Sequence, residues 1–181
     1  MNVEREIEIT PTSVIINGTP IEIQETGDKM LVELYRRFVG DYPKFFKMDT
    51  LCRLGFIAAE ILLKNEKVEA IILANRSASI KNDTDYLATI SEGNYYPSPA
   101  LFVYTLPNIV TGEIAIRHHI QGETSFYILE KPEDLEPIIQ STLAIHHLPF
   151  TTCHSPLWPD GSNAANRMNF MQNYKLYGTI D

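Results

Sequence analysis

The chain has 181 residues, 44% of them hydrophobic and 10% aromatic. This length and composition suffice for one compact domain with a hydrophobic core, but the chain is short for two domains of typical size. Its formal net charge of -8 argues against non-specific binding to nucleic acid, which needs a basic surface, and also disfavours an acidic partner. No stretch approaches the roughly 20 apolar residues of a membrane span, and the charged start MNVEREIEI lacks the apolar core of a signal peptide. We therefore expect a cytoplasmic protein without a membrane or nucleic-acid partner.

The first elements predicted along the chain are short β-strands. VEREIEI alternates apolar and charged residues, and SVIING and TPIEIQE flank Asn17-Gly18, a pair that favours the tight turn of a β-hairpin. KMLVELYRRFV, residues 29 to 39, carries apolar residues at helical spacing, so a helix is predicted after this β start.

A long helix and a buried strand are predicted next. DTLCRLGFIAAEILLKNE has an apolar stripe at helical spacing, with Asp49 or Thr50 as its N-cap. VEAIILAN, residues 68 to 75, is a continuous apolar run, which is typical of a strand covered on both faces. RSASIKNDTD, which follows, is predicted to form a solvated polar loop.

TLPNIVTGEIAIRHHIQGE, residues 105 to 123, predicts a helix that begins near Pro107 and ends at Gly122. Glu113 and Arg117 are expected on the face of this helix that points away from the apolar neighbours. The predicted apolar face consists of Ile109, Val110, Ile114, Ala115 and Ile116.

A further strand and helix complete the regular part of the chain. GETSFYILE is rich in aromatic and branched residues, and KPEDLEPIIQSTLAI starts with a proline and acidic residues, as helices do. Strands and helices alternating at these lengths indicate βαβ units and an α/β fold. From about residue 145 we expect a strand or two and an irregular tail, within a single domain that comprises residues 1 to 181.

One segment resembles a known family. YYPSPALFVYTLPNIVTGEIAIRHHIQGET is similar to the part of the β-ketoacyl synthases that reads Ser-Pro-x-x-Phe, then Pro-Asn, then a helix ending in a glycine. The matching positions are Ser98, Pro99, Phe102, Pro107, Asn108, Ile116 and Gly122. The resemblance covers residues 40 to 144 and implies an α/β, thiolase-like half-fold, in which helices pack on a mixed β-sheet, as in the N-terminal half of these condensing enzymes.

The resemblance also implies that catalytic residues are missing. In the family, this helix and glycine lead into a buried strand that ends at a nucleophilic cysteine, placed at the start of a helix whose dipole lowers the pKa of the thiol. One strand beyond Gly122 the sequence reads Glu130, Lys131 and Pro132, without a cysteine. The two histidines that activate the condensation belong to the second half of the family's fold, which we expect this chain to lack.

Cys153 is a weak candidate for a retained nucleophile, because FTTCHSP superficially resembles the nucleophile motif. However, Pro156 and Pro159 prevent a helix from starting cleanly at this cysteine, so an inert thiol is favoured. Cys52 lies within the apolar stripe of its helix and is predicted to belong to the core.

The histidines are also weighed as metal ligands. His118-His119 and His146-His147 are neighbours in sequence, and neighbouring residues point to different faces of a helix or strand. No cysteine or carboxylate cluster completes a ligand set with them or with His154. We therefore predict no metal site and no cofactor.

Four polar residues are candidates for a substrate channel. Asn75, Ser77 and Ser79 come at and after the end of the predicted central strand, where α/β sheets place their ligands, and Asn108 belongs to the matching Pro-Asn pair. The alternative is a polar turn whose side chains are hydrogen-bonded within the loop.

SFYILE is the predicted edge of the sheet, with Phe126 and Ile128 as interface candidates. In the family, the corresponding strand pairs across a dimer interface and the second half covers one face of the first, so an exposed apolar surface is expected. The resemblance thus implies a homodimer, or a heterodimer with a full-length ketosynthase, and an acyl carrier protein as a further partner.

Two functions remain open at this point. The first is a β-ketoacyl synthase-like protein of fatty-acid or polyketide-type biosynthesis without condensing activity of its own, acting as a partner or chain-length subunit. The second is an acyltransferase, a 3-oxoacyl-carrier-protein synthase, that uses Cys153 or a site completed by a partner.

Overall fold

The structure, a computed structural model, describes residues 5–64, 68, 70–93, 96–131, 134–146, 150–154 and 174–179, and from residue 143 onward it describes the backbone alone. These residues contain one mixed sheet whose strands are β1 (Arg5–Ile9), β2 (Val14–Ile16), β3 (Thr19–Ile21), β4 (Ala70–Asn75), β5 (Thr124–Ile128), β6 (Phe150–His154) and β7 (Tyr174–Thr179). Their spatial order is β3-β2-β1-β7-β6-β4-β5. β4 is parallel to both of its neighbours, and the other pairs are antiparallel.

A 3₁₀ helix, Pro43–Lys47, and six α-helices accompany the sheet in the described chain. The α-helices are α1 (Gly27–Phe38), α2 (Thr50–Leu62), α3 (Ile80–Leu87), α4 (Pro99–Val103), α5 (Ile109–His118) and α6 (Leu135–His146). None of the described helices is both long enough and apolar enough to cross a membrane.

The hairpin that connects β2 and β3 confirms the turn predicted at Asn17-Gly18. Both residues have positive φ angles, 50° and 75°, as the favoured two-residue hairpin turn requires. Asn17 Oδ1 also accepts a hydrogen bond of 2.8 Å from the backbone N–H of Glu6, which links the turn to β1.

The predicted capping of α2 is also confirmed. Asp49 is the N-cap residue, and its carboxylate accepts hydrogen bonds from the N–H groups of Leu51, at 3.3 Å, and Cys52, at 3.0 Å. The following strand, β4, is buried along its whole length, as its continuous apolar run predicted.

Two apolar cores cover the two faces of β4. The larger core lies on the side of α1, α2 and α5 and includes Ile71 and Leu73. The smaller core lies on the side of α6, whose Leu135 and Ile139 pack with the alternate residues of β4. The sheet is therefore the middle of three layers where it passes through β4, which is why this strand reads as apolar at every position.

Most of the exposed large apolar side chains among the described residues lie on α3 and α4 or beside them, and Phe46, Ile116 and Ile128 are exposed elsewhere. On the described outer side of α6, Glu136 and Gln140 are exposed and hydrogen-bonded to each other at 2.8 Å. The exposed large apolar side chains between residues 80 and 106 are Ile80, Leu87, Ile90, Tyr96, Phe102, Val103 and Leu106.

The prediction of a polar loop at RSASIKNDTD is wrong, because most of this segment forms α3. Lys81 and Asp85 form an ion pair of 2.7 Å one helical turn apart, which supports the helix on its exposed side. Asn82 is the buried residue of α3, so the helix docks through an amide, while its apolar residues Ile80 and Leu87 are exposed and do not form a buried apolar face.

The C-terminal end of α5 and one of its faces also differ from the prediction. His119 adopts the left-handed conformation that ends the helix, with φ 56°, so the helix ends before Gly122. Ile116 is 64% exposed, whereas Glu113 is buried and Arg117 is partly covered. The face was misassigned because the charged residues of α5 have partners on other elements, which a single sequence does not reveal.

Candidate functional site

The predicted site residues at the end of β4 are brought together, and their side chains organise the loop that follows. Asn75 is buried; its amide donates to the carbonyl oxygen of Ala78 at 3.0 Å, and its Oδ1 accepts from the N–H of Ala78 at 2.7 Å. Ala78 has a φ of 49°, a left-handed conformation that costs free energy in residues other than glycine. Asn75 therefore holds the loop in this conformation, as the hydrogen-bonded-turn alternative describes.

Ser79 extends this arrangement to the segment that precedes α5. It is buried, and its hydroxyl lies within hydrogen-bond distance of the carbonyl oxygen of Thr105 and of Asp83 Oδ1. Ser77 is half-buried in the same loop. Asn108 lies apart on the exposed start of α5, where its carbonyl oxygen accepts from the hydroxyl of Thr111 at 2.8 Å. The substrate-channel role of these four residues remains a prediction.

A buried carboxylate that sequence reasoning missed lies on α5. Glu113 Oε1 is 2.5 Å from Lys44 Nζ, and Glu113 Oε2 is 3.4 Å from the hydroxyl of Tyr42. Burial and the neighbouring Glu113 raise the pKa of Tyr42, while the hydrogen bond with Glu113 raises the pKa of Lys44. This group connects the 3₁₀ helix to α5. Lys44 and Glu113 are far apart in sequence, so no local sequence pattern predicts their contact.

The thiol of Cys52 lies beside this group at the start of α2. Cys52 is buried, as predicted, and burial followed by the nearby Asp49 carboxylate raises the pKa of the thiol. Burial also raises the pKa of Tyr104 to about 12, with Cys52 and Glu113 adding to the effect. Lys44 acts in the opposite direction, but burial and the carboxylates outweigh it, so the raised pKa of Cys52 disfavours the thiolate that a nucleophile needs.

A second charged group connects α2 to the end of α5. Glu60 Oε1 accepts from Arg117 Nε at 2.9 Å, and Oε2 accepts from Nη2 at 3.2 Å. Arg117 Nη2 also donates to Asp41 Oδ1 at 2.9 Å, and His118 Nε2 lies 3.1 Å from Glu60 Oε1. Burial alone would raise the pKa of Glu60, but His118 and Arg117 outweigh it, so this pKa lies below its ordinary value.

The arrangement of these side chains gives no metal centre in the described chain. No three histidine, cysteine, aspartate or glutamate side chains come together there as a metal ion would need. The side chains of His146, His147 and His154 lie outside the described residues.

The connection from β5 to α6 is the position at which the resemblance places a nucleophile. β5 ends at Ile128, and the chain continues through Leu129, Glu130 and Lys131 towards α6, without a cysteine. The backbone of Cys153 lies instead within β6, in register with Leu73 of β4. Cys153 is the fourth of the five residues of this strand, so it is not the first residue of a helix. Its side chain lies outside the described residues, so its role as a weak candidate stays a prediction.

β5 forms one edge of the described sheet, as predicted. It pairs with β4 on one side, and no described strand pairs with its other side. Phe126 is half-buried and packs against the larger core, whereas Ile128, at the end of the strand, is 61% exposed. Ile128 is thus the better placed of the two predicted interface residues to contact another molecule.

Among the comparisons with known proteins, the one with solved structures found similar folds. No protein-family model matches the sequence, and no curated protein matches it. A solved structure of a ketosynthase in complex with its chain length factor, from Xenorhabdus doucetiae, is similar with a TM-score of 0.64 and 10% identity over 98% of this chain and 77% of that chain. A structure of the ishigamide ketosynthase/chain length factor has a TM-score of 0.61 and 13% identity, over 97% of this chain and 60% of that chain. These similarities show that the chain has the mixed α/β, thiolase-like fold of ketosynthase and chain length factor proteins.

Proposed function

We propose that the chain is a ketosynthase-like subunit without condensing activity of its own, which pairs with a full-length ketosynthase and serves polyketide or fatty-acid synthesis as a partner or chain-length subunit. The observation that carries this proposal is the edge position of β5. A strand at the edge of the described sheet, with an exposed apolar residue at its end, is a template for pairing with another chain. In the family that the sequence resembles, this strand faces the other subunit.

The junction after β5 supports the lack of independent activity. In the family that the sequence resembles, a cysteine at this junction is the acyl-accepting nucleophile, and here Leu129, Glu130 and Lys131 occupy the connection. Cys52 is buried and has a raised pKa, so it does not replace that nucleophile. Both similar structures are described as a ketosynthase with a chain length factor, which favours a heterodimer over a homodimer.

The pairing is tested by co-expressing the chain with the ketosynthases of its own organism. We expect one of them to form a 1:1 complex, measured by size-exclusion chromatography with light scattering. Ile128→Glu is expected to weaken this complex at least about tenfold, because it places a charge at the interface. The matched control is Leu87→Glu, since Leu87 of α3 is 63% exposed and Ile128 is 61% exposed.

Two results would contradict the pairing: no ketosynthase binds, or the chain forms only a homodimer. If the two variants weaken the complex equally, the end of β5 is not the contact that determines its affinity. Circular dichroism of both variants shows whether each is folded before its binding is compared.

The lack of activity is tested by intact-mass measurement after incubation with acyl-carrier-protein thioesters, with and without a cysteine-blocking reagent. We expect no acyl adduct on the chain alone, and condensation only when the ketosynthase is present. An acyl group lost in Cys153→Ser would instead establish the acyltransferase alternative and overturn our proposal. An acyl group that appears on this chain only in the presence of the partner would establish the other form of that alternative, a site completed by a partner, whereas an acyl group found on the ketosynthase alone agrees with the proposal.

A further inference from the structure

The two helices α3 and α4 are joined to the rest of the protein in an unusual way. Among the residues of α3, Asn82 is buried and no apolar side chain is; α4 buries none of its side chains. Ile80, Leu87 and Phe102 are exposed on their outer surface. The residues of α3 and α4 therefore bury little apolar surface, and Tyr104, which follows α4, provides an apolar contact with the larger core.

The two helices are nevertheless well connected to each other. The rings of Tyr86 and Phe102 lie 5.4 Å apart, and the N–H of Ser98 donates to the hydroxyl of Thr89 at 3.2 Å. Asn82 Nδ2 donates to the carbonyl oxygen of Tyr104 at 3.0 Å, just beyond α4. These contacts join both helices into one unit that can move without separating.

A polar contact attaches this unit to the start of α2. Asn82 Nδ2 donates to Asp49 Oδ2 at 2.6 Å, and Asp49 at the same time caps α2. A hydrogen bond to a carboxylate is stronger than one between neutral groups, so this contact contributes more to holding the unit than the other hydrogen bonds do. Ala78, which has a left-handed conformation, lies in the loop that leads into α3 and determines the direction in which the chain enters the helix.

Cys52 lies at the place that this unit covers. Its thiol neighbours Asp49, to which Asn82 is bonded, and Tyr104, which belongs to the end of the unit and packs on the larger core. Release of Asn82 and Tyr104 would remove one wall around Cys52 while leaving the apolar contacts between α2 and α5 in place.

We propose that α3 and α4 form a cover that opens as one unit from the start of α2 while the rest of the protein stays folded, with the Asn82–Asp49 hydrogen bond as its latch. Opening exposes Cys52 to solvent, and closing buries it again. This device is independent of whether the chain pairs with a ketosynthase, because it depends on contacts within one chain.

The test is the rate at which Cys52 reacts with iodoacetamide under native conditions, with the modified peptide identified by mass so that Cys153 is counted separately. In the unaltered protein, we expect labelling of Cys52 to change little at low urea concentrations, because local opening exposes little surface. Labelling that instead increases with urea as steeply as global unfolding does would overturn the proposal.

The latch is tested with Asn82→Leu, which removes the hydrogen bonds from Asn82 Nδ2 to Asp49 and to the carbonyl oxygen of Tyr104. Loss of a hydrogen bond to a charged group is expected to accelerate Cys52 labelling about tenfold, and amide hydrogen exchange should accelerate in α3 and α4 but not in the second half of α2. Lys81→Ala is the control, because it removes an exposed ion pair of the same helix and should change the rate by less than about twofold. Equal acceleration in α2 and α3, or equal effects of the two variants, would contradict the latch.

Discussion

Replacing Gly55 by alanine is expected to destabilise the protein by about 2 kcal/mol, although alanine is the better helix former. Gly55 lies where α2 crosses α5, and a Cβ atom there would be 2.5 Å from Val110 Cγ2. Val110 is 1% exposed and β-branched, so its methyl group cannot turn away without a backbone shift. Ile114 Cδ1 and Leu73 Cδ1, at 3.8 and 3.9 Å, close the remaining space.

Gly112→Ala is the matched control. Gly112 belongs to α5, and an added Cβ there meets no atom within 4 Å. Because alanine favours a helix over glycine, this variant is expected to gain about 0.5 to 1 kcal/mol. Urea denaturation followed by circular dichroism measures both changes.

A double variant separates close packing from other effects at Gly55. Val110→Ala removes the methyl group that a new Cβ would meet, so Gly55→Ala should cost clearly less in the Val110→Ala background than in the unaltered protein. Equal costs in both backgrounds, or a stabilising Gly55→Ala, would show that α2 and α5 are not in close contact at this point.

The parts of the fold that could be predicted are those in which local sequence and tertiary structure agree. Asn17-Gly18 has the conformational freedom that its turn demands, Asp49 caps the helix that it precedes, and β4 is apolar because both its faces are covered. In each case the residues that form the element also meet its physical requirement, whether a turn conformation, a helix cap or burial of both faces, so the local sequence predicts it.

The elements that were missed depend on partners distant in sequence. α3 is attached through Asn82 to Asp49, so its apolar residues point outward and its pattern resembles that of a loop. The sequence places Glu113 on the solvent-facing side of α5, but in the folded protein it lies beside Lys44 and Tyr42. Likewise, His119 ends α5 in place of a nearby glycine, a choice that local preferences do not favour.

In the candidate site, too, the residues placed by local sequence were predicted and those placed by packing were not. Asn75, Ser77 and Ser79 gather at the end of β4 as predicted, since the end of a strand fixes where the next loop begins. The exposure of Ile128 follows from the position of β5 at the edge of the described sheet. The family resemblance predicted this edge, whereas the aromatic and branched residues of the strand predict only that it is a strand. Arg117 and Glu60, by contrast, meet only once α2 and α5 have packed.

Replacing Arg117 by methionine is expected to destabilise the protein by about 2 to 3 kcal/mol at pH 7, because Glu60 would lose its two hydrogen bonds from the guanidinium while staying buried. Glu60 is 9% exposed and Arg117 is 27% exposed, so we expect less than the full cost of breaking a wholly buried pair. Methionine retains the apolar stem, so the loss reports mainly on the charge. Asp41→Asn is the control, since Asp41 is 73% exposed and its contact with Arg117 should contribute less than about 1 kcal/mol.

The pH dependence of this difference shows that a carboxylate is responsible, and the Asp41→Asn control distinguishes Glu60 from Asp41, since both carboxylates bind Arg117. The pKa of Glu60 in the folded protein lies below its ordinary value, so its ionised form stabilises the fold fully above the unfolded pKa of about 4.3, and this contribution is lost as pH falls through the folded pKa. The stability difference between the unaltered protein and Arg117→Met, measured by urea denaturation, should therefore be smaller below about pH 4 than at pH 7. A difference that stays the same at low pH, or an equally large loss in Asp41→Asn, would assign the stabilisation to packing of the Arg117 side chain rather than to its charge.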